Sequence, residues 1–253
     1  MEKITSRSNL VCLHIRKLGK SKSYRDEHGQ FLCDGIKLLD EAVSSGAEID
    51  IILTSEALER SFPKDTRVYY ADESVIDSLS PLKNSQGLLF ICRIVSTVEY
   101  DLKTGTHLLL DNIQDPGNVG TIVRTANAFG IKSIILTDGS ADLYNPKTIR
   151  ASMGAVFKQD VIHMCISDIK ELKKNGVKFI GSSNDDSSVD IKEADLKDSV
   201  IILGNEGQGI SEDLLVLCDE MIRIPVSPDC ESINVAVAAS IIMWESVSSG
   251  RQC

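Results

Sequence analysis

Three short apolar runs in this sequence are each followed by a polar or glycine-containing turn and then by a helix-like stretch. They are LLLDNIQDPGNVGTIVRTANAF at 108–129, IILGNEGQGIS at 201–211 and IPVSPDCESINVAVAAS at 224–240. A parallel α/β sheet aligns the carboxyl ends of its strands along one edge, and ligands bind in the crevice there. The three turns are therefore expected to meet at one ligand site.

The first turn does not match the common nucleotide-binding fingerprints. Its GNVG is not G-x-G-x-x-G, and no Gly-Lys-Ser/Thr follows it. Those spacings mark dinucleotide-binding folds and P-loops, so a generic nucleotide-binding protein such as a dehydrogenase is the weaker alternative. All three segments also lack histidine and any set of metal ligands, which predicts chemistry without a metal.

Strand-like and helix-like stretches alternate along the whole chain. QFLCDG, IDIILTS, RVYYA and GLLFICRIV predict the strands of a small parallel-type layered domain. The polar stretch VEYDLKTGT at 98–106 contains a glycine and is typical of a linker. A second alternating series follows, so the pattern predicts two α/β domains, at 1–97 and 107–253.

Charge is distributed unevenly. A net charge of −10 argues against a nucleic-acid partner, because phosphates attract Lys and Arg. Residues 1–30 depart from this balance, with seven basic side chains against three acidic ones. Such runs are usually solvated surface. The alternative is a phosphate-binding patch in a stretch that contains glycine and serine, formed by Lys17, Lys20, Lys22 and Arg25.

Composition also bears on the cellular compartment. No apolar run approaches the ~18 residues of a membrane span. The opening segment MEKITSRSNLVCLHIRKLGK lacks the apolar core of a signal peptide. Seven cysteines occur without a C-x-x-C pair. This usage predicts reduced thiols in a cytoplasmic protein with no metal site.

The three turns supply one cation, one carboxylate and several neutral hydrogen-bonding groups: Asn118, Arg124, Asn205, Glu206, Ser232 and Asn234. Each has an ordinary explanation as well. Asn118 and Ser232 lie where helix N-caps belong. An arginine within a helix is usually a surface ion-pair partner. The occurrence of three such turns in order along the chain is what favours a functional site.

The three segments resemble the three sequence motifs of the SpoU (TrmH) family of RNA ribose 2′-O-methyltransferases, in the SPOUT class. RASMGAVF at 150–157 resembles a further recurring stretch of that family. The resemblance covers roughly 107–248. Residues 1–95 resemble, less specifically, the small ribosomal-protein-like RNA-binding domain that many members carry.

The resemblance implies an α/β fold in two parts. The ribosomal-protein-like domain would bind the RNA substrate, and the SPOUT domain would contain a trefoil knot that binds S-adenosylmethionine. It also implies a homodimer with the knots at the interface. The stretch ESINVAVAASIIMWESV fits such an interface, because it is apolar almost all round and so has more apolar surface than a one-sided contact covers.

Residue by residue, the resemblance implies a cofactor site at Gly204, Ile224 and Ile233, with Leu203 and Thr137 as further candidates. Arg124 matches the arginine that approaches the target ribose or its phosphate, to which the family assigns the general-base role. A guanidinium has a pKa above ~12. Stabilisation of the developing alkoxide is therefore the alternative role for Arg124.

The remaining motif residues are implied to support this chemistry. Asn118 would orient Arg124 or the ribose, and Glu206 would pair with Arg124 or position its guanidinium. Ser232 and Asn234 would hold the third turn and contact the cofactor or the substrate.

The implied function is methylation of a ribose 2′-hydroxyl in structured RNA. An N-terminal accessory domain favours 23S ribosomal RNA, and transfer RNA is the alternative substrate. A catalytically silent RNA-binding homologue is a third hypothesis, but such a protein would be free to lose the motif residues that this chain retains.

Overall fold

The computed structural model describes residues 2–81, 85–95, 100–227, 229 and 232–248. The chain divides into two compact units. The first consists of Met1–Ser96 and Asp142–Lys158, and the second of Thr97–Ala141 and Gln159–Cys253. The domain limits of 1–97 and 107–253 stay a prediction. The segment that contains RASMGAVF belongs to the first compact unit, although it lies within the predicted second domain.

Where the structure describes it, the first unit contains one five-stranded sheet, five α-helices and a short 3-10 helix at Ala155–Phe157. Its strands are β1 (Glu2–Ile4), β2 (Gln30–Asp34), β3 (Ile49–Thr54), β4 (Arg67–Ala71) and β5 (Leu88–Arg93), in the order β1-β4-β3-β5-β2. Its helices are α1 (Leu10–Lys20), α2 (Lys22–His28), α3 (Ile36–Ser44), α4 (Glu73–Leu79) and α6 (Pro146–Ser152).

Strand direction in this sheet differs from the prediction. β1, β4 and β3 run parallel, but β5 is antiparallel to both β3 and β2. The parallel-type layering predicted for this region is therefore wrong for β5. The reason is that the spacing of apolar side chains along a short strand is the same for either direction.

The sheet of the first unit is covered on both faces. Alternate residues of β5 belong to two different core clusters, Leu89 and Ile91 to one and Phe90 and Cys92 to the other. Successive side chains of a strand point to opposite faces, so the two clusters lie on opposite sides of the sheet. Burial on both faces explains why β5 is apolar from Leu88 to Cys92, before the exposed Arg93 at its end.

The second unit contains one seven-stranded, fully parallel sheet, in the order β10-β12-β9-β11-β6-β7-β8. Its strands are β6 (His107–Leu110), β7 (Ser133–Leu136), β8 (Asp160–His163), β9 (Lys178–Ser182), β10 (Val189–Asp190), β11 (Ser199–Leu203) and β12 (Glu220–Arg223). Its helices are α5 (Pro116–Phe129), α7 (Ile166–Lys174), α8 (Glu212–Leu215) and α9 (Val235–Ser248).

This arrangement confirms the predicted α/β class. Every residue of β6, β7 and β11 is buried, as expected for strands covered on both faces. Because all seven strands are parallel, the carboxyl ends of β6, β11, β9 and β12 lie next to one another along one edge. The three motif turns leave from three of these strands.

The predicted linker at 98–106 extends beyond the described residues at 98–99. Its described part is not a free connection, because Leu102 is buried and Tyr100 packs with it in the core of the second unit. A glycine and several polar residues suggested a linker, but one apolar side chain was enough to anchor this stretch.

Within the described ranges, no helix is both long and apolar enough to cross a membrane.

Candidate functional site

A cleft of about 400 Å³ opens at the carboxyl ends of β9, β11 and β12, beside α9. Its volume falls within the range of small-molecule sites. Of the residues predicted from the sequence, its walls include Leu203, Gly204, Glu206, Ile224, Ser232 and Ile233. The second and third turns therefore meet, as the parallel strand order predicts.

The second turn is held rigidly by its own backbone and one side chain. Asn205 and Gly209 exchange two backbone hydrogen bonds of 3.0 and 2.8 Å. The Asn205 side chain accepts from Gly207 N (2.9 Å) and donates to Asn112 O (2.9 Å), which connects this turn to the end of β6. The loop is therefore preorganised before any ligand arrives.

Gly204 is required by the turn itself. A Cβ at this position would lie 2.2 Å from Gly209 C and 2.3 Å from Ile210 N. Both contacts are with backbone, which cannot move aside as a flexible side chain can. A valine at this position is therefore expected to disrupt the turn, and so does not test cofactor binding alone.

Thr137 has a structural role that the resemblance did not anticipate. Its side chain is buried, and its Oγ1 accepts a hydrogen bond from Asn112 N at 3.0 Å. It is absent from the cleft walls among the described residues. The prediction that Thr137 contacts the cofactor is not supported by this placement, because the hydroxyl is used to fix the chain beyond β6.

The first turn contributes Asn118, which is not a helix cap. Helix α5 begins at Pro116, and the Asp115 side chain caps it by accepting from Gly117 N. Asn118 lies two residues inside the helix, where its amide is available for other contacts. Its Nδ2 donates to Glu206 Oε1 at 2.5 Å, and its Oδ1 accepts from Asn234 Nδ2 at 3.1 Å.

The third turn ends at Asn234. The Asn234 Oδ1 accepts hydrogen bonds from Ala236 N (2.9 Å) and Val237 N (3.3 Å), so Asn234 rather than Ser232 caps α9. Its amide nitrogen is then directed to Asn118. The chain of hydrogen bonds Glu206–Asn118–Asn234 thus joins all three turns.

Arg124 lies outside this network. Its side chain is exposed, and within the described ranges it makes no ion pair or hydrogen bond. Among the described residues Glu206 hydrogen-bonds Asn118 and forms no ion pair with Arg124, so a role of Glu206 in pairing with Arg124 or positioning its guanidinium stays a prediction. The guanidinium is left available for an external anion.

The four predicted phosphate-binding residues fall into two groups. Lys17, Lys20 and Lys22 are exposed on α1 and at the start of α2. Arg25 is buried, and its guanidinium pairs with Asp142 and donates to Leu18 O at 2.6 Å. The prediction that Arg25 binds RNA is therefore corrected, because its donors are used inside the first unit.

Sequence reasoning missed the contribution of β9. Ser182 ends this strand and Ser183 and Asn184 follow it, and all three line the cleft together with Arg223 at the end of β12. The signal was present in VKFIGSSND, an apolar run followed by polar residues, but no helix-like stretch follows it directly, as one does in the three motif segments. The Arg223 guanidinium forms an ion pair with Asp186, with 3.1 Å between Nη1 and Oδ1.

No cluster of three or more potential metal ligands occurs among the residues that the structure describes. Glu206 is the one carboxylate among the named cleft residues, and Arg223 the one cation. Hydrogen-bonding groups and apolar walls dominate the rest. Such a site suits binding and positioning of an organic cofactor.

Comparisons with known proteins agree with this geometry. The model of the SpoU rRNA Methylase family matches residues 105–244, and that of the MRM3-like substrate binding domain matches residues 13–89. The 23S rRNA (guanosine(2553)-2′-O)-methyltransferase RlmP of Bacillus subtilis is 32% identical over 250 residues, which span 96% of this chain and 98% of that protein.

Solved structures agree as well. The structure of an rRNA methyltransferase from Sinorhizobium meliloti with bound AdoMet superposes with a TM-score of 0.85 at 29% identity, covering 99% of both chains. A TrmH-family structure from Porphyromonas gingivalis has the same TM-score at 28% identity and covers 96% of this chain. With the family model matching more than half of its length, this chain belongs to the SpoU rRNA methylase family.

Proposed function

We propose that this methyltransferase transfers the methyl group of S-adenosylmethionine to a ribose 2′-oxygen of structured ribosomal RNA. The observation that carries the proposal is the hydrogen-bonded chain Glu206–Asn118–Asn234, which joins the three motif turns beside the cleft. A relative that spans almost the whole chain is named as a 23S rRNA 2′-O-methyltransferase, which supports this substrate class.

The cleft fits S-adenosylmethionine in size and chemistry. Leu203, Ile224 and Ile233 provide apolar surface for an adenine ring, and the strand-end backbone provides donors and acceptors. The Glu206 carboxylate complements a cofactor that carries a sulfonium cation. When bound, the cofactor supplies a methyl group that is already electrophilic, so the protein has mainly to position the attacking oxygen.

Arg124 is suited to stabilise charge on the RNA. Arg124 lies six residues after Asn118 on α5, which is ~9 Å along the helix axis. Helical side chains tilt toward the N-terminus, so the guanidinium extends back toward the first turn. A guanidinium is a hydrogen-bond donor in proteins, so we expect it to contact phosphate or the developing 2′-alkoxide rather than to accept the proton.

The first unit is proposed to hold the RNA. It carries the match to a substrate-binding domain, together with the exposed Lys17, Lys20 and Lys22. Ribosomal RNA is favoured over transfer RNA because RlmP corresponds to this chain over almost its whole length. Transfer RNA stays the second candidate, because a Synechocystis relative 28% identical to this chain is named as a tRNA/rRNA methyltransferase. The reaction would take place in the cytoplasm with its substrate.

We also propose a homodimer formed through α9, with a trefoil knot in the second unit. Val237, Ile241 and Trp244 lie on one stripe of α9 and are 50%, 37% and 53% exposed. A contiguous apolar stripe on a helix is typical of an interface. The buried residues of α9 include Ala239, Ile242 and Met243, and the Trp244 ring also contacts Phe129 of α5, with 5.9 Å between the ring centroids.

The test of the proposed function is methyl transfer by the purified full chain. Tritiated S-adenosylmethionine is supplied with ribosomal RNA and transfer RNA from a strain that lacks the gene, and labelled riboses are mapped. Label on a 2′-oxygen of 23S rRNA is the expected result. Label only in transfer RNA would support the second candidate, and cofactor binding without transfer to either RNA would support a silent homologue.

A further inference from the structure

Two aromatic rings are stacked at the surface of the first unit, where the catalytic chemistry does not use them. The His28 ring lies on the Tyr24 ring, with 3.9 Å between the centroids and 29° between the planes. Both residues belong to α2 and are four positions apart, so they share one side of that helix. Tyr24 is half-buried, whereas His28 is exposed. The stack therefore presents an imidazole ring to solvent.

Tyr24, the inner ring of the stack, is fixed by a chain of hydrogen bonds. Its hydroxyl lies 3.0 Å from His14 Nδ1, and His14 Nε2 lies 2.8 Å from Gln30 Oε1. The Gln30 oxygen can only accept, so Nε2 of neutral His14 carries the proton and Nδ1 accepts from the Tyr24 hydroxyl. Burial lowers the pKa of His14, which favours this neutral ring. The tyrosine is therefore held in place before any ligand binds.

His28, the outer ring, has a fixed orientation and a free edge. Its Nδ1 donates to the Tyr24 carbonyl oxygen at 3.0 Å, while its Nε2 has no hydrogen-bond partner within the described residues. The His14 ring approaches it as well, with 5.4 Å between centroids. Of these three rings only His28 belongs to an exposed residue, and 33% of its side chain is accessible. A planar ligand can therefore reach the stack at His28.

The charges around the stack favour a polyanion. Three exposed lysines of α1 and α2 form no ion pair among the residues that the structure describes: Lys17, Lys20 and Lys22. The Nζ of Lys17 lies 5.1 Å over the centre of the Tyr24 ring, a cation–π contact. Helix α1 has no acidic residue, and α2 has Asp26 and Glu27. Asp26 is turned away from His28, because two residues rotate a helix by about 200°. The lysines therefore outnumber the one carboxylate on this side, that of Glu27.

We propose that the outer face of His28 stacks with an unpaired base of the RNA substrate, while Lys17, Lys20 and Lys22 contact neighbouring phosphates. The inference rests on the proposed function, because it assumes an RNA substrate. Proteins hold single-stranded RNA by aromatic side chains beside basic ones, since every base has a π-face and every linkage a negative charge. A ring that Tyr24 already fixes loses little freedom when the base arrives. A purine has the larger π-face, so the site should prefer adenine to uracil.

The test compares two labelled hexanucleotides, oligo(U) and the same strand with one central adenine, by fluorescence anisotropy with the full chain. The adenine strand should bind more tightly to the wild type. His28→Ala should weaken its binding by ~5-fold or more, the lower range for one stacked base, and should leave the salt slope unchanged. Lys20→Ala is the matched control, because it should weaken both strands alike and reduce the salt slope. Equal affinity of wild type and His28→Ala for the adenine strand would overturn the inference.

A signal from the His28 ring itself distinguishes this site from binding elsewhere. The chain has four histidines, so their ring C–H resonances can be followed by NMR, and His28→Phe identifies that of His28. At about pH 8, where imidazole is neutral, the adenine strand should shift this resonance through the ring current of the stacked base. Polyphosphate, which carries charge without a base, should shift it less. No shift with the bound strand, or equal shifts with both ligands, would overturn base stacking.

Two further features of the design keep the result decisive. His28→Phe retains a planar ring and should keep the preference for the adenine strand. The wild-type resonance needs no weakened variant, so it decides the question even if His28→Ala does not fold.

The same preparations separate this inference from the proposed function. Wild-type protein that methylates ribosomal RNA, with a His28 signal that the adenine strand does not move, would refute the stacking site alone. Protein that shows the His28-dependent preference but transfers no methyl group would refute the proposed function and support the stack as an RNA-binding surface. Where both hold, His28→Ala should raise the concentration of ribosomal RNA that gives the half-maximal rate, and the rate at saturation should stay near that of the wild type.

Discussion

Asn118 donates a hydrogen bond from Nδ2 to Glu206 Oε1 at 2.5 Å and so joins two turns that are 88 residues apart in sequence. Its Oδ1 accepts from Asn234 at the start of α9. One amide therefore holds a carboxylate of the cleft wall and the cap of a helix in a common position. We propose that Asn118 has a positioning role, because its amide joins Glu206 and Asn234.

Asn118→Ala should lower the rate of methyl transfer by ~10-fold or more, because the Glu206 carboxylate and the third turn lose their common support. Stability should change little, since the side chain lies near the surface. Asn127→Ala, an exposed position on the same helix, is the control. Single-turnover kinetics measure the effect. Equal rates for both variants would show that the hydrogen-bonded chain does not position the reactants.

Arg124→Ala should lower the single-turnover rate by ~10²-fold or more, the scale for losing one transition-state contact. Cofactor affinity by calorimetry should stay near that of the wild type. Arg124→Lys keeps the charge without the planar guanidinium, so partial recovery would identify charge as the main contribution. A wild-type rate in Arg124→Ala would remove the first turn from the active site.

Arg25→Ala should destabilise the protein, in contrast to the neighbouring basic residues. The Arg25 and Asp142 side chains are 5% and 11% exposed, so removing the cation leaves a buried carboxylate unpaired. The expected loss is about 3–5 kcal/mol. Lys20→Ala, at an exposed site, should change stability by less than about 0.5 kcal/mol. Urea unfolding measures both, and equal effects would contradict a structural role for Arg25.

The exposed lysines should determine RNA affinity instead. Alanine at Lys17, Lys20 and Lys22 together should weaken RNA binding and flatten its dependence on salt, because each phosphate contact releases counterions. Single-turnover methylation at saturating RNA should stay near the wild-type rate. An unchanged salt slope in a filter-binding titration would mean that this face of α1 and α2 is only solvated surface.

His107 should make stability depend on pH. Burial lowers the pKa of His107 below its usual value of 6.5. Its neutral ring fits its surroundings, with Nε2 donating to Thr104 O and Nδ1 accepting from the Ser133 hydroxyl. The unfolded chain therefore binds the proton more readily than the folded chain does. The contribution of neutral His107 to the free energy of unfolding is complete above about pH 6.5, and it is lost as the pH falls through the folded pKa.

The measurement compares urea unfolding at about pH 7.5 and about pH 5.5 for wild type and His107→Gln. Stability of the wild type should fall more steeply toward acid than that of the variant. His14, whose pKa is also lowered by burial, is present in both proteins and cancels in the difference. Parallel pH profiles would contradict the assignment to His107.

Ile241→Asp with Trp244→Asp should convert a dimer into a monomer. Both side chains belong to the exposed stripe of α9, and a carboxylate there opposes burial against a second copy. Light scattering at micromolar concentration should give twice the 27.6 kDa chain mass for wild type and the single mass for the variant. A wild-type monomer would refute the proposed dimer.

The elements around the cleft and its location could be predicted from local sequence patterns. Apolar runs such as VIIL and LLL predicted strands, and strand ends followed by turn residues predicted where the cleft walls lie. These properties depend on neighbours within a few residues, so they can be recognised from local patterns. Gly204, Ile224 and Ile233 were predicted only because the resemblance to the family implies a cofactor site at those positions.

The partners of the polar side chains, in contrast, depend on tertiary packing. Arg25 was predicted to bind phosphate, but its partner Asp142 lies 117 residues away. The sequence placed Asn118 where a helix cap is expected. In the structure Asp115 caps the helix, and Asn118 instead hydrogen-bonds Glu206. A hydrogen bond or ion pair needs groups within a few ångströms, and that proximity is set by the packing of whole elements. Local sequence patterns therefore do not predict which groups come within hydrogen-bonding distance.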